Sequence, residues 1–266
     1  MPHAAVDGPT LFYERRGEGE PLLLIQGMSG THLAWGEPFL AALGDDLDVV
    51  TYNHRGVGES GSQEGAVTTP GLADDAAGML DALGWETAHV LGISMGGMVA
   101  QELALRHPDR IRTLVLGCTY PGGADARLAD PALIQELAGA MLSGDRELAL
   151  RTGFAANLSA TFAADEANWE PFHTMATTLP VPVDVIMAQM QAVIGHDTSA
   201  RLSAIDKPTL VIHGTEDRML PMVNGELIAR LVPDARLELL ERVGHMFWWE
   251  QPERSAALVR SHVTAR

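Results

Sequence analysis

The hydrophobic pattern changes period along the chain, and that change predicts the architecture. Three short runs come first, His3–Val6, Thr10–Arg16 and Pro21–Gln26. Asp7-Gly8, between the first two, suits a tight hairpin turn. The third run, PLLLIQ, is almost continuously apolar and stops at Gly27, the pattern of a strand covered on both faces. Alternation follows. His32–Leu43 reads as helix, Leu47–Asn53 as strand, and Leu72–Leu83 as helix with Gly84 as its stop. Ala88–Ile93 reads as strand, Met95–His107 as helix closed by Pro108, and Arg112–Cys118 as strand. From about 122 to 203 the strand signal disappears. Pro131–Leu142, Arg146–Leu158 and Val183–Ile194 read as helices there, with Pro180-Val181-Pro182 as a boundary. Alternation returns with strand Thr209–His213, helix 222–232, strand Ala235–Leu240 and helix Pro252–Val263. Strands alternating with helices of this length imply βαβ units. The expectation is an α/β fold in one domain, 1–266. Its sheet has eight mostly parallel strands flanked by helices, and a helical cap, 122–203, is inserted after strand six.

Composition narrows the function. The 266 residues are 46% hydrophobic, enough for one full core. The formal net charge of −17 repels phosphate backbones and anionic bilayers, so nucleic-acid and membrane partners are not expected. One cysteine, Cys118, allows no internal disulfide and no thiolate metal cluster. The start, MPHAAVDGPT, lacks a basic segment and an apolar core, and no apolar run reaches membrane-spanning length. A soluble, cytoplasmic protein is expected, with its oligomeric state open.

Candidate chemistry begins in HVLGISMGGMVAQ. Gly92-Ile93-Ser94-Met95-Gly96 fits G-x-S-x-G, a match too common to assign by itself. Its setting carries more weight. Ser94 follows an expected buried strand and opens an expected helix, which is the context of a nucleophile elbow. The small neighbours Gly92 and Gly96 leave room for the sharp turn, and the helix N-terminus favours negative charge. A serine nucleophile needs a base. His245, in ERVGHMFWWE, follows the last strand, and Gly244 frees the backbone that aims it. His89, His107 and His262 read as structural or surface residues. The base needs an orienting carboxylate. Asp217, in LVIHGTEDRMLP, follows strand 209–213 at the same expected sheet edge, with Glu216 as the adjacent alternative. No zincin spacing or P-loop is present, and neither cofactor nor metal is expected.

With GISMGG, HGTEDRMLP and VGHMFWWEQPE in this order, the chain resembles the serine-nucleophile branch of the α/β-hydrolase superfamily over nearly its whole length. Local likeness is to enol-lactonases and polyketide methyl esterases. The resemblance implies acyl transfer: Ser94 attacks an ester carbonyl, His245 takes its proton, and Asp217 orients the imidazole. It also implies an oxyanion hole made by the backbone N–H groups of Met95 and Met28. Many relatives carry His-Gly where Gln26-Gly27 stands here. Gly56-Val57-Gly58-Glu59-Ser60-Gly61 matches a dinucleotide fingerprint, but Gln63–Pro70 reads as loop where that motif needs a helix. It is similar instead to the Arg-Gly-x-Gly-x-Ser loop of the superfamily, with Arg55 as a structural tie.

The cap carries Phe154, Phe162, Trp169, Phe172, Met175, Met187 and Met190. Clefts lined by adaptable apolar groups suit small molecules. Gly27, Trp169, Met187, Met219 and Met246 are the expected pocket residues, and one of Trp248 and Trp249 is expected to wall the pocket while the other seats the last helix. The reading is a carboxylic ester hydrolase, an esterase or lactonase for a small to medium apolar ester or lactone. Alternatives with the same triad are a carbon–carbon bond hydrolase and a perhydrolase. A third alternative is a non-catalytic ligand receptor on this fold.

Overall fold

Leu22 and Leu24 face one side of a sheet while Leu23 and Ile25 face the other, and all four are fully buried. This is the two-residue period of a strand covered on both faces. In the computed structural model, which describes residues 2–6, 8–61 and 65–265, the chain forms eight strands. They are β1 (His3–Ala5), β2 (Thr10–Arg16), β3 (Glu20–Ile25), β4 (Leu47–Tyr52), β5 (Ala88–Ile93), β6 (Ile111–Gly117), β7 (Thr209–Gly214) and β8 (Arg236–Leu240). Their order in one sheet is β1-β2-β4-β3-β5-β6-β7-β8. β2 pairs antiparallel with β1 and β4; every other pair is parallel. The eight-stranded, mostly parallel sheet expected from the sequence is therefore present.

The helices are α1 (Glu37–Ala42), α2 (Thr69–Leu83), α3 (Met95–Arg106), α4 (Pro131–Leu142), α5 (Arg146–Asn157), α6 (Ala160–Ala163), α7 (Trp169–Thr178), α8 (Val183–Ile194), α9 (Val223–Leu231), α10 (Phe247–Glu250) and α11 (Pro252–Val263). Residues of α2, α3 and α9 pack with Leu23, Val50, Val90 and Leu114 on one face of the sheet. Residues of α1 and α11 pack with Leu22, Val49, Leu91 and Leu210 on the other, joined by Phe154, Trp169 and Phe172. Each fully buried leucine of these layers is worth roughly 1.5–3 kcal/mol against exposure. Among the described residues, no single helix is long and apolar enough to cross a membrane.

Three boundaries depart from the sequence pattern. The expected helix His32–Leu43 is broken at Gly36, whose φ of 71° lies outside helical space, into a short 3-10 turn (His32–Trp35) and α1. α2 starts at Thr69, ahead of its apolar periodicity, because the Thr68 side chain accepts the Gly71 N–H and Pro70 fits the first turn. The insertion also holds α6 and α7, which the pattern did not single out. Asp7 and residues 63–64, part of the expected turn and loop, lie outside the described residues; Thr69 and Pro70, expected as loop, belong to α2.

Register sets the position of the site. Ile25 lies beside Gly92, Ile93 beside Gly117, Gly117 beside Ile212, and Gly214 beside Leu240. The parallel strands β3, β5, β7 and β8 thus end at one edge. The chain segments that leave them carry Gly27–Met28, Ser94, Asp217 and His245. Side chains distant in sequence meet there because parallel strands all deliver their carboxyl ends to the same side.

Candidate active site

Ser94 is the hinge between β5 and α3. Its backbone sits at φ 52° and ψ −123°, a strained conformation for a residue with a side chain. The surroundings hold it there. Its N–H donates to Gly117 O at 2.9 Å, and its carbonyl accepts from Thr119 Oγ1 at 2.7 Å. A Cβ on Gly92 would lie 2.2 Å from the Gly96 carbonyl oxygen, and one on Gly96 would lie 2.1 Å from that of Ile25. Both positions require glycine because backbone, not a movable side chain, occupies the space.

Asp217 sits in the turn after β7. Its Oδ1 accepts the N–H groups of Met219 and Leu220, each at 2.9 Å. Its Oδ2 lies 2.7 Å from His245 Nδ1 and 3.2 Å from His213 Nε2. Burial by itself pushes the carboxyl upward, yet the charge of His245 and hydrogen bonds from both histidines outweigh it and hold Asp217 well below the usual carboxylate range. An ionised carboxylate only accepts, so Nδ1–H of His245 is the donor, and Nε2 remains for other chemistry. Glu216, the alternative, is tied by its N–H to Val243 O and does not meet the imidazole. Ser94 and His245 line one cavity. Among the described residues no hydrogen bond joins them; such contacts often tighten only with substrate bound.

His213 was not anticipated. It is fully buried on β7, and its Nε2–H points at Leu220 O, 2.7 Å away, as well as at Asp217. Its spacing of four residues from Asp217, in IHGTED, is the signal that was available. The other histidines read as structural have such partners: His89 with Thr113, His107 with Asp74, and His262 with Pro208 O.

The loop after β3 forms a turn beside Ser94. A Cβ on Gly27 would touch Ser94 Cβ at 3.0 Å. Gly27 O accepts the Gly30 N–H at 3.2 Å, and Gln26 Oε1 accepts the Gly27 N–H at 2.8 Å. Gln26 thus serves its own loop. His54, on the segment after β4, donates Nε2–H to Gln26 O at 2.9 Å, while burial lowers the pKa of its ring. Arg55 grips the buried Asp75 through two hydrogen bonds, the tie expected of it. The backbone N–H groups of Met28 and Met95 have no acceptor among the described residues.

The cavity measures about 370 Å³ and is roofed by the insertion. Gly27, Met219 and Met246 line it, as do Phe172, Met175, Ile186 and Trp248. Two expected pocket residues do not. Trp169 packs edge-on against Phe154 and stacks on Phe172, with the Arg151 guanidinium 3.9 Å from its ring centre, so it supports the roof from behind. Met187 is 51% exposed: Ile186 faces the cavity, and one step along α8 turns the next side chain about 100° away. Trp248 is the walling tryptophan. Trp249, expected to seat the last helix, packs edge-on against Phe172 of the insertion, and both indoles donate to Ala34 O. The spacing 172, 175, 176, 179 of cavity residues along α7 and its end could have been read as a helical stripe.

A family model described as the alpha/beta hydrolase fold matches residues 20–252. A protein of Azorhizobium caulinodans bearing the name carbamate hydrolase RutD is 31% identical over 252 residues, covering 93% of this chain and 92% of the relative. The poly(3-hydroxyalkanoate) depolymerase of Ectopseudomonas oleovorans is 30% identical over 242 residues, covering 90% of this chain and 82% of its own length. Among solved structures, the enol-lactonase from Burkholderia xenovorans superposes with a TM-score of 0.86 at 26% identity, over 99% of this chain and all of that one.

Proposed function

The chain belongs to the alpha/beta hydrolase fold family, and from that premise we propose that it is a serine hydrolase cleaving a small to medium apolar carboxylic ester or lactone. The observation that carries the reading is the 2.7 Å contact from His245 Nδ1 to the buried Asp217, at the sheet edge where Ser94 and His245 line one apolar cavity. Three relatives support acyl chemistry by their names, which refer to a carbamate, a polyester and an enol lactone. All three are opened at a carbonyl carbon.

In this mechanism His245 Nε2 takes the Ser94 hydroxyl proton as Oγ attacks the carbonyl carbon. Asp217, ionised and fixed by four donors, holds the tautomer and stabilises the imidazolium. The carbonyl π pair moves onto oxygen, and the N–H groups of Met28 and Met95 receive the oxyanion. Collapse expels the alkoxide, which takes the proton from His245. Water, deprotonated by the same imidazole, then attacks the acyl-Ser94 carbonyl carbon; collapse breaks the bond to Oγ, releases the acid, and Ser94 Oγ takes the proton back from His245. A lactone follows the same steps with both products joined.

Hydrolysis of p-nitrophenyl esters from acetate to dodecanoate, by wild type and Ser94→Ala, tests the proposal. A cavity of about 370 Å³ predicts preference for the shorter chains, with turnover lost in the variant. Undiminished hydrolysis by Ser94→Ala, or no hydrolysis of any ester or lactone by wild type, would overturn it.

A further inference from the structure

The turn that carries the Met28 N–H is not held by the sheet alone. Ser29, the next residue, sits at φ 58°, a backbone region that a residue with a side chain occupies only when its surroundings insist. Its N–H donates to Gln189 Oε1 at 2.8 Å. Gln189 belongs to α8 of the insertion, 160 residues away in sequence. It is 1% exposed on a helix whose only other buried residue is Ala192. Burial strips the amide of hydration, and among the described residues only its Oε1 is compensated, by the Ser29 N–H, while its Nε2 is buried without a partner.

The insertion grips the opposite loop as well. Met246 N–H donates to Asn157 O at 3.0 Å. Glu250 Oε1 accepts the N–H groups of both Gly244 and Ser159, each at 2.8 Å. A Cβ on Gly244 would lie 2.6 Å from the backbone of Leu158 and Ser159, so the insertion's chain lies directly on the histidine loop. Residues 244 and 246 flank His245, and residue 29 follows Met28. The insertion is thus bonded both to the turn after β3 and to the loop that carries His245.

We propose that Gln189 is a positioning residue: by accepting the Ser29 N–H it fixes the strained turn that aims the Met28 N–H into the cavity, so that the insertion's seating is a condition of oxyanion stabilisation. The inference rests on the ester-hydrolase reading for its kinetic consequence. The clamp itself is a structural bond that can be read without substrate.

The test compares Gln189→Met, which keeps length and volume without the acceptor, with Gln189→Glu, which keeps an acceptor oxygen in either protonation state. Amide hydrogen exchange over residues 27–31 is followed beside kcat and KM on the best p-nitrophenyl ester. For Gln189→Met the clamp predicts faster exchange in the turn, KM within about twofold, and kcat lowered by 10- to about 100-fold, the scale of a misplaced catalytic group. Gln189→Glu should restore most of kcat. Unchanged exchange in the turn, or unchanged kcat, in Gln189→Met would overturn the proposal. So would equal losses in both variants that track a common fall in melting temperature, since that is packing and not aim. A wild type inert toward esters, with turn exchange accelerated only in Gln189→Met, would uphold the clamp and bring down the ester reading instead.

Discussion

At the scale of single residues, the site depends on what surrounds one carboxylate. Asp217 is buried yet ionised because four donors converge on it, two backbone N–H groups and two imidazoles. Asp217→Asn keeps the volume but places an amide where only an acceptor fits, so His245 would turn to the wrong tautomer. The expected cost is on the order of 10⁴ in kcat, with the melting temperature lowered, read by steady-state kinetics and calorimetry. Ser94→Ala removes only a hydroxyl that faces the cavity. Its melting temperature should stay within a few degrees of wild type while kcat falls by on the order of 10⁶ or to background. The three residues singled out in the sequence were legible because each sits in a strand-end motif whose context can be checked from pattern alone. His213 and Gln189 were not: one lies buried behind the carboxylate of Asp217, and the other reaches the turn from 160 residues away. Trp169 and Met187 were misassigned because composition marks a residue as apolar without giving the side of the helix on which it lies.

At the scale of elements, strand ends and close approaches decide more than propensity. β3, β5 and β7 were readable as short apolar runs, because strands buried on both faces leave no polar face to confuse the period. α7 was missed for a related reason. Its cavity stripe is interrupted by His173 and Thr174, and Pro171 in its first turn looks like a break although proline is tolerated there. The elbow itself gives the sharpest element-scale prediction. Gly92→Ala drives a methyl into the Gly96 carbonyl, 2.2 Å away, and neither β5 nor α3 can yield without moving Ser94. A loss of about 1–3 kcal/mol in urea-unfolding stability is expected, together with most of the activity. Wild-type stability and rate in that variant would show that the turn relaxes freely.

For the whole molecule, protonation links stability to pH. Burial lowers the pKa of both His89 and His196 from 6.5 to about 4. Below pH 6.5 the unfolded chain takes up protons that the native state refuses, so stability should fall as pH drops from 6.5 toward 4. Asp217, held low in the folded state, contributes stability above the ordinary carboxylate range that is lost as pH falls below it. His196→Gln, at a residue that links Thr69 and Thr198, should flatten the upper part of this slope in urea midpoints measured across pH. An unchanged slope would show that His196 titrates normally. The architecture at this scale was readable from the alternation of periods, whereas the bonds that seat the insertion were not, since they join polar groups with no pattern in sequence. The central claim is that Ser94 is a nucleophile armed by His245, and a fluorophosphonate tests it without knowledge of the substrate. Peptide mass spectrometry after labelling should find the adduct on Ser94 in wild type, none in Ser94→Ala, and greatly slowed labelling in His245→Gln. An unlabelled wild type, or an adduct on another residue, would contradict the account.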